Sequence, residues 1–89
     1  MTYNLEVKEQ LDKLFRKMKK KDRFKLEIIN KKIAEILEDP YRYKPLKAPM
    51  QNKRRVHIAG SFVLIFSINE KTKTVILEDF THHDEAYRH

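Results

Sequence analysis

The run Phe62–Ile68, FVLIFSI, restricts the architecture of this chain more than any other stretch. Six of its seven residues are apolar and they do not alternate with polar ones, as in a strand at the centre of a sheet. Two shorter strand candidates flank it, KRRVHI (Lys53–Ile58) before and TVILEDF (Thr74–Phe80) after. Ala59-Gly60 supplies the first connection, and Gly60 is the only glycine in the protein, so its backbone freedom is expected to be needed there. Asn69–Lys73, NEKTK, supplies the second. Three strands joined this closely predict an antiparallel meander with Phe62–Ile68 in the middle.

Upstream, the period changes. TYNLEV alternates Tyr3, Leu5 and Val7 on one side and reads as a short strand. Val7, Leu11, Leu14, Phe15 and Met18 then recur at spacings of three and four, the pattern of an amphipathic helix. Lys19–Lys21 interrupts it, and Asp22 is placed to cap a second helix marked by Phe24, Ile28, Ile29, Ile33, Ile36 and Leu37. Pro40 ends that helix, because a proline disfavours helical backbone in the residue before it. The order is β-α-α-β-β-β. We expect an α+β fold in which a two-helix hairpin covers one face of the meander and the other face stays partly open.

Eighty-nine residues make a single domain, residues 1–89, with apolar content sufficient for one modest core. Cysteine is absent, which removes disulfides and thiolate zinc sites from consideration. No apolar run reaches membrane-spanning length, and Met1–Gln10 is already mixed in charge, so a soluble cytoplasmic protein without membrane attachment is expected. The net charge of +7 is unevenly spread. Residues 40–60 hold six Lys/Arg (Arg42, Lys44, Lys47, Lys53, Arg54, Arg55) and no acid, whereas residues 61–89 hold three against five acids. A second basic knot lies at Lys19-Lys20-Lys21 and Arg23. Focused charge of this kind attracts a polyanion and speeds its encounter. A solvated basic surface with no ligand is the plainer alternative.

All three prolines and two tyrosines fall in PYRYKPLKAPMQN (Pro40–Asn52), an ordered-looking loop without glycine or serine. The ending, DFTHHDEAYRH, sets two histidines before an acidic pair and Tyr87. Taken in order, DPYRYKPLK, KRRVHI, GSFVLIFSINEKTKTVILEDF and HHDEAY resemble the RelE/ParE toxin superfamily over nearly the whole chain. The resemblance implies the toxin of a type II toxin–antitoxin pair, held inactive by a cognate antitoxin. Catalytic members of the RelE branch cut mRNA in the ribosomal A site without a metal or other cofactor. The 2′-hydroxyl attacks the adjacent phosphate and leaves a 2′,3′-cyclic phosphate and a 5′-hydroxyl. The ParE branch shares the fold and poisons gyrase instead.

Such cleavage needs a base for the 2′-hydroxyl proton, an acid for the leaving 5′-oxygen, and cations for the charge growing on phosphorus. Histidine suits the first two roles and arginine the third. Alternation puts Arg55 and His57 on one face of their strand and Arg54 and Val56 on the other. In a meander, the first and third strands flank the second, so residues of both can converge across it. Of the adjacent His82 and His83, only one can face such a site. The family's tail pattern corresponds to His83 and Tyr87, with His82 the next candidate. Lys44, Lys47, Lys53 and Arg54 are the expected RNA phosphate contacts, and Tyr41 and Tyr43 are expected to pack over the helix–sheet seam, with stacking on bases the alternative. Which histidine is acid and which is base stays open.

Catalytic relatives often carry an arginine in the middle strand, where this chain has SFVLIF, and neither Phe62 nor Val63 can hold a phosphate. Two adjacent histidines on a strand point apart, so no metal site is expected. The reading is thus a ribosome-dependent mRNA endonuclease that inhibits translation, or else a non-catalytic gyrase inhibitor or RNA-binding module. Partners would be an antitoxin that covers the apolar groove, the ribosome and mRNA. Self-association through the same surface is expected when the antitoxin is absent.

Overall fold

The computed structural model describes residues 2–82. Strand β1 (Asn4–Val7) leads into helices α1 (Glu9–Lys21) and α2 (Arg23–Glu38). A 3-10 turn, Pro40–Arg42, and a loop follow, and then strands β2 (Lys53–Ile58), β3 (Phe62–Asn69) and β4 (Thr74–His82). The sheet order is β1-β4-β3-β2, with β3 paired antiparallel to both β2 and β4. The meander holds as expected. Strand β1, whose place the sequence left open, lies parallel to β4, so the sheet is mixed.

Val7 therefore closes β1 opposite Leu77 rather than opening α1. On the helix side of the sheet, Leu11 and Met18 of α1 and Ile29, Ile33 and Ile36 of α2 pack on Val56, Ile58, Leu64, Phe66, Val75 and Leu77. Phe24 departs from the expected apolar stripe and is 75% exposed. At 3.6 residues per turn it stands about 140° round the helix from Ile29, on the outward side. The opposite face of β3 carries Val63 and Ile65, and the loop residues Leu46 and Met50 pack against them.

Local chemistry sets the connections. The Asp22 carboxylate accepts a 3.1 Å hydrogen bond from the Lys25 amide, capping α2 as its sequence predicts. Asp22→Ala is expected to cost about 1 kcal/mol, lowering the melting temperature by about 4–8 °C in a domain of this size. A thermal melt followed by circular dichroism checks it. Ala59 and Gly60 both adopt positive φ, 52° and 77°, in the β2–β3 turn. A Cβ on Gly60 would meet nothing within 4 Å, so backbone conformation rather than crowding favours glycine there.

Strand β4 carries a bulge. Ile65 pairs with Asp79 and Phe66 with Leu77, which leaves Glu78 as the extra residue. One inserted residue shifts the alternation of everything after it. Phe80 consequently joins Phe15 and Phe62 on the helix side, with its ring stacked 5.2 Å from that of Phe62. Glu78 itself is tied at both oxygens: the Ser67 hydroxyl donates at 2.6 Å and the Lys8 ammonium lies 2.6 Å away. Burial pushes the Glu78 carboxyl up, but hydrogen bonds from Lys8 and Ser67 and the charges of Lys8 and Lys53 outweigh it. Its pKa lies below the ordinary carboxylate value. A carboxyl held ionised in the fold stabilises it above the unfolded pKa, and that contribution vanishes as pH falls through the folded value. Glu78→Gln is therefore expected to lower stability at neutral pH and to flatten its decline below about pH 4. Urea midpoints measured at several pH values test this.

Among the described residues, no helix is long and apolar enough to cross a membrane.

Candidate nucleic-acid interface

Strand β2 is the outermost strand of the meander, and the loop runs back beside it. The Leu46 amide donates to the Lys53 carbonyl at 2.8 Å and the Arg55 amide to the Lys44 carbonyl at 3.3 Å. Pro45 bridges antiparallel to Arg54. This pairing anchors the basic loop and sets its cations against those of β2. Val56 and Ile58 are buried under the helices, so alternation turns Arg55 and His57 to the opposite face, as expected.

Arg55 and His57 line a depression of about 430 Å³ together with Lys32, Arg42, Tyr43, Lys44 and Val56. Four permanent cations and a histidine thus share one open hollow, and among the described residues no carboxylate lines it. Lys32 comes from α2, where its ammonium lies 3.5 Å from Glu35. The Arg42 guanidinium lies over the Tyr43 ring, 5.5 Å from its centroid. Tyr43 sets its ring edge-on to the buried Phe66, at 5.9 Å, so the hollow is seated on the core. Such a site can grip phosphate oxygens and offer an imidazole for proton transfer.

The other singled-out residues lie elsewhere. Arg54 points to the helix side, donates to the Tyr43 carbonyl at 2.6 Å and lies over the Tyr41 ring at 5.1 Å. It straps the 41–43 segment to the sheet. Lys47 is exposed on the loop and Lys53 half-buried at the start of β2, and neither lines the hollow. His82 pairs with Phe62 and sets its ring 5.6 Å from that side chain. It lines a separate depression with Leu14, Met18, Asp22, Lys25, Phe62, Phe80 and Thr81, on the helix side. The residues that share the row of Arg55 are Ile65 and Asp79, and those that share the row of His57 are Val63 and Thr81. The β4 bulge makes this so. His83 and Tyr87 fall outside the described residues.

Lys32 and Arg42 were not singled out by sequence. Arg42 was legible as part of the acid-free segment 40–60, but only the 3-10 turn brings it round to β2. Lys32 carries no signal in a helix rich in lysine. Strand β3, FVLIFSIN, contains neither Lys nor Arg, so it adds no cation.

A family model described as "ParE toxin of type II toxin-antitoxin system, parDE" matches residues 2–87. An uncharacterized protein of Methanosarcina mazei is 53% identical over 85 residues, covering 96% of this chain and 99% of its own. A Methanocaldococcus jannaschii protein named "Putative toxin RelE4" is 46% identical, covering 97% of this chain and 92% of its own. The fold is similar to that of a mutant of the Escherichia coli toxin RelE in the free state, with TM-score 0.77 and 21% identity over 97% of this chain and 88% of that one. It is also similar to the RelBE2 toxin–antitoxin complex from Mycobacterium tuberculosis, with TM-score 0.76 and 16% identity over 93% of each chain.

Proposed function

Because the chain belongs to the ParE toxin family of type II toxin–antitoxin systems, we propose that this toxin is a metal-independent endoribonuclease that cuts ribosome-bound mRNA in the cytoplasm and so inhibits translation. The observation that carries the reading is the hollow in which the four cations Lys32, Arg42, Lys44 and Arg55 meet the imidazole of His57 beside Tyr43 and Val56. Arg55, with Arg42, Lys44 and Lys32, holds the scissile phosphate and its neighbour. The 2′-oxygen bonds to phosphorus and gives its proton to a base, while the bond from phosphorus to the 5′-oxygen breaks and that oxygen takes a proton. His57 makes one of these transfers. His83 makes the other and Tyr87 aligns the substrate, both roles resting on the family resemblance. Lys47 and Lys53 meet the RNA outside the hollow.

The cognate antitoxin is a proposed partner, consistent with the complex formed by RelBE2. The groove of Leu14, Met18, Phe62 and Phe80 offers it an apolar seat. Mapping fragment ends tests the chemistry: 2′,3′-cyclic phosphates and 5′-hydroxyls are expected, and 3′-hydroxyl ends would overturn it. A gyrase-directed role is the second reading, favoured by the uncharged β3. Loss of DNA supercoiling on adding the protein, with mRNA left intact, would select it.

A further inference from the structure

Two of the four cations in the hollow, Arg42 and Lys44, stand in the turn and loop between α2 and β2. Their aim depends on what holds that segment. The Lys44 carbonyl accepts from the Arg55 amide at 3.3 Å, and the Tyr43 carbonyl accepts from the Arg54 guanidinium at 2.6 Å. Arg42 lies one residue earlier, in the 3-10 turn Pro40–Arg42, which has no side-chain cap. Its amide reaches the Asp39 carbonyl at 3.4 Å, beyond the usual range of a hydrogen bond.

Tyr41 anchors this turn from the other side. Three residues per turn set successive side chains about 120° apart. Pro40 is fully buried in the core, Arg42 goes to the hollow, and Tyr41 takes the third direction, toward the β3–β4 turn. There its hydroxyl donates to the Glu70 carboxylate. The Tyr41 side chain is 48% exposed, so burial alone does not fix it.

Glu70 is itself held in place. The Tyr3 hydroxyl donates to it at 3.1 Å, and the Lys73 ammonium pairs with it. The Asn69 side chain accepts from the amides of Lys71 and Thr72, at 3.1 and 3.3 Å, and so shapes the turn that carries Glu70. Tyr3 is tied down in turn, its amide donating to the Leu37 carbonyl at 2.9 Å and its ring edge-on to Tyr41 at 6.4 Å. One carboxylate thus joins the residue before β1, the 3-10 turn and the β3–β4 turn. Exposed polar contacts of this kind add little to stability. Fixing the neighbour of a cation that must meet a phosphate is a use that small energies can serve.

We infer that Glu70 is a positioning residue for the phosphate grip: through the Tyr41 hydroxyl it fixes the 3-10 turn and so aims Arg42 into the hollow, which Glu70 itself does not line. The consequence for RNA rests on the RNA-directed reading above, whereas the link to Arg42 rests on geometry alone. Charge and position give opposite signs. Removing an acid makes a chain of net charge +7 more basic, which strengthens attraction to RNA. Losing the anchor weakens the grip.

Binding of a single-stranded RNA is measured by filter retention, and hydrogen exchange at the Arg42 amide by NMR. Glu70→Ala should weaken binding by about threefold to tenfold, the effect of one hydrogen bond of ordinary net strength, and should speed exchange at Arg42. Glu70→Gln loses the same charge but keeps an acceptor for Tyr41, and should bind within about twofold of wild type. Tyr41→Phe should match Glu70→Ala. In an Arg42→Ala background, Glu70→Ala should cost less than about twofold more, because the residue it aims is gone. Tighter binding by Glu70→Ala, equal loss in the Ala and Gln variants, or full additivity with Arg42→Ala would overturn the proposal. Unchanged exchange at Arg42 in Glu70→Ala would overturn it as well. If Glu70→Ala and Tyr41→Phe speed that exchange while the wild type binds no RNA, the anchor stands and the RNA-directed reading fails.

Discussion

His57→Ala is expected to slow RNA cleavage by about 10² to 10⁴-fold, the usual contribution of a positioned acid or base, in a protein that still folds. The separation of effects follows from the strand. Val56 and Ile58 on either side are buried, but His57 projects from the opposite face and is exposed, so its removal opens no cavity. Arg55 supplies a companion variant. Arg55→Lys keeps the charge and loses the planar fork that holds two phosphate oxygens at once. It should retain RNA binding while losing most cleavage. Equal rates in wild type and His57→Ala would remove His57 from the chemistry.

The second large effect is structural. Phe66 is fully buried in β3, faces the helices and carries Tyr43 edge-on against its ring. Phe66→Ala is expected to cost about 3–5 kcal/mol through lost burial and the cavity left behind. Total stability for a domain of this kind is about 5–15 kcal/mol, so much of the margin goes. The melting temperature should fall by about 12 °C or more, and RNA binding should weaken with it, because Tyr43 seats the segment that presents Arg42 and Lys44. A melt that stays within about 3 °C of wild type would mean that the core is not centred on this ring.

Much of the fold was legible because its periods are strong. The apolar run of β3, the spacing of Ile29, Ile33 and Ile36, the Asp22 cap and the lone Gly60 each have a local physical cause that acts on neighbouring residues. What escaped was non-local. The parallel pairing of β1 with β4 depends on how the helical hairpin returns the chain to the sheet, and no residue of NLEV encodes it alone. The bulge at Glu78 was equally hidden. It exchanges the faces of the residues that follow, and it sends His82 to the helix side.

The site divides in the same way. Arg55, His57 and Lys44 were legible from alternation and from the acid-free segment, and they do line one hollow. Arg54 belongs to the same run of cations, yet its guanidinium straps Tyr43 and Tyr41. Neighbours in sequence on a strand face opposite ways, so one charged run served two purposes. Lys32 enters from a different element altogether, which only packing of α2 beside β2 could bring about.

The central claim is that this toxin cuts translating mRNA through the β2 hollow without a metal. It is tested most directly in a ribosome-containing extract with excess chelator, comparing the wild type with His57→Ala and Arg55→Ala and mapping the fragment ends. The account predicts discrete cuts within ribosome-engaged codons that persist in chelator and disappear in both variants. Intact mRNA in the presence of folded wild-type protein, or cuts that vanish with chelator, would contradict it.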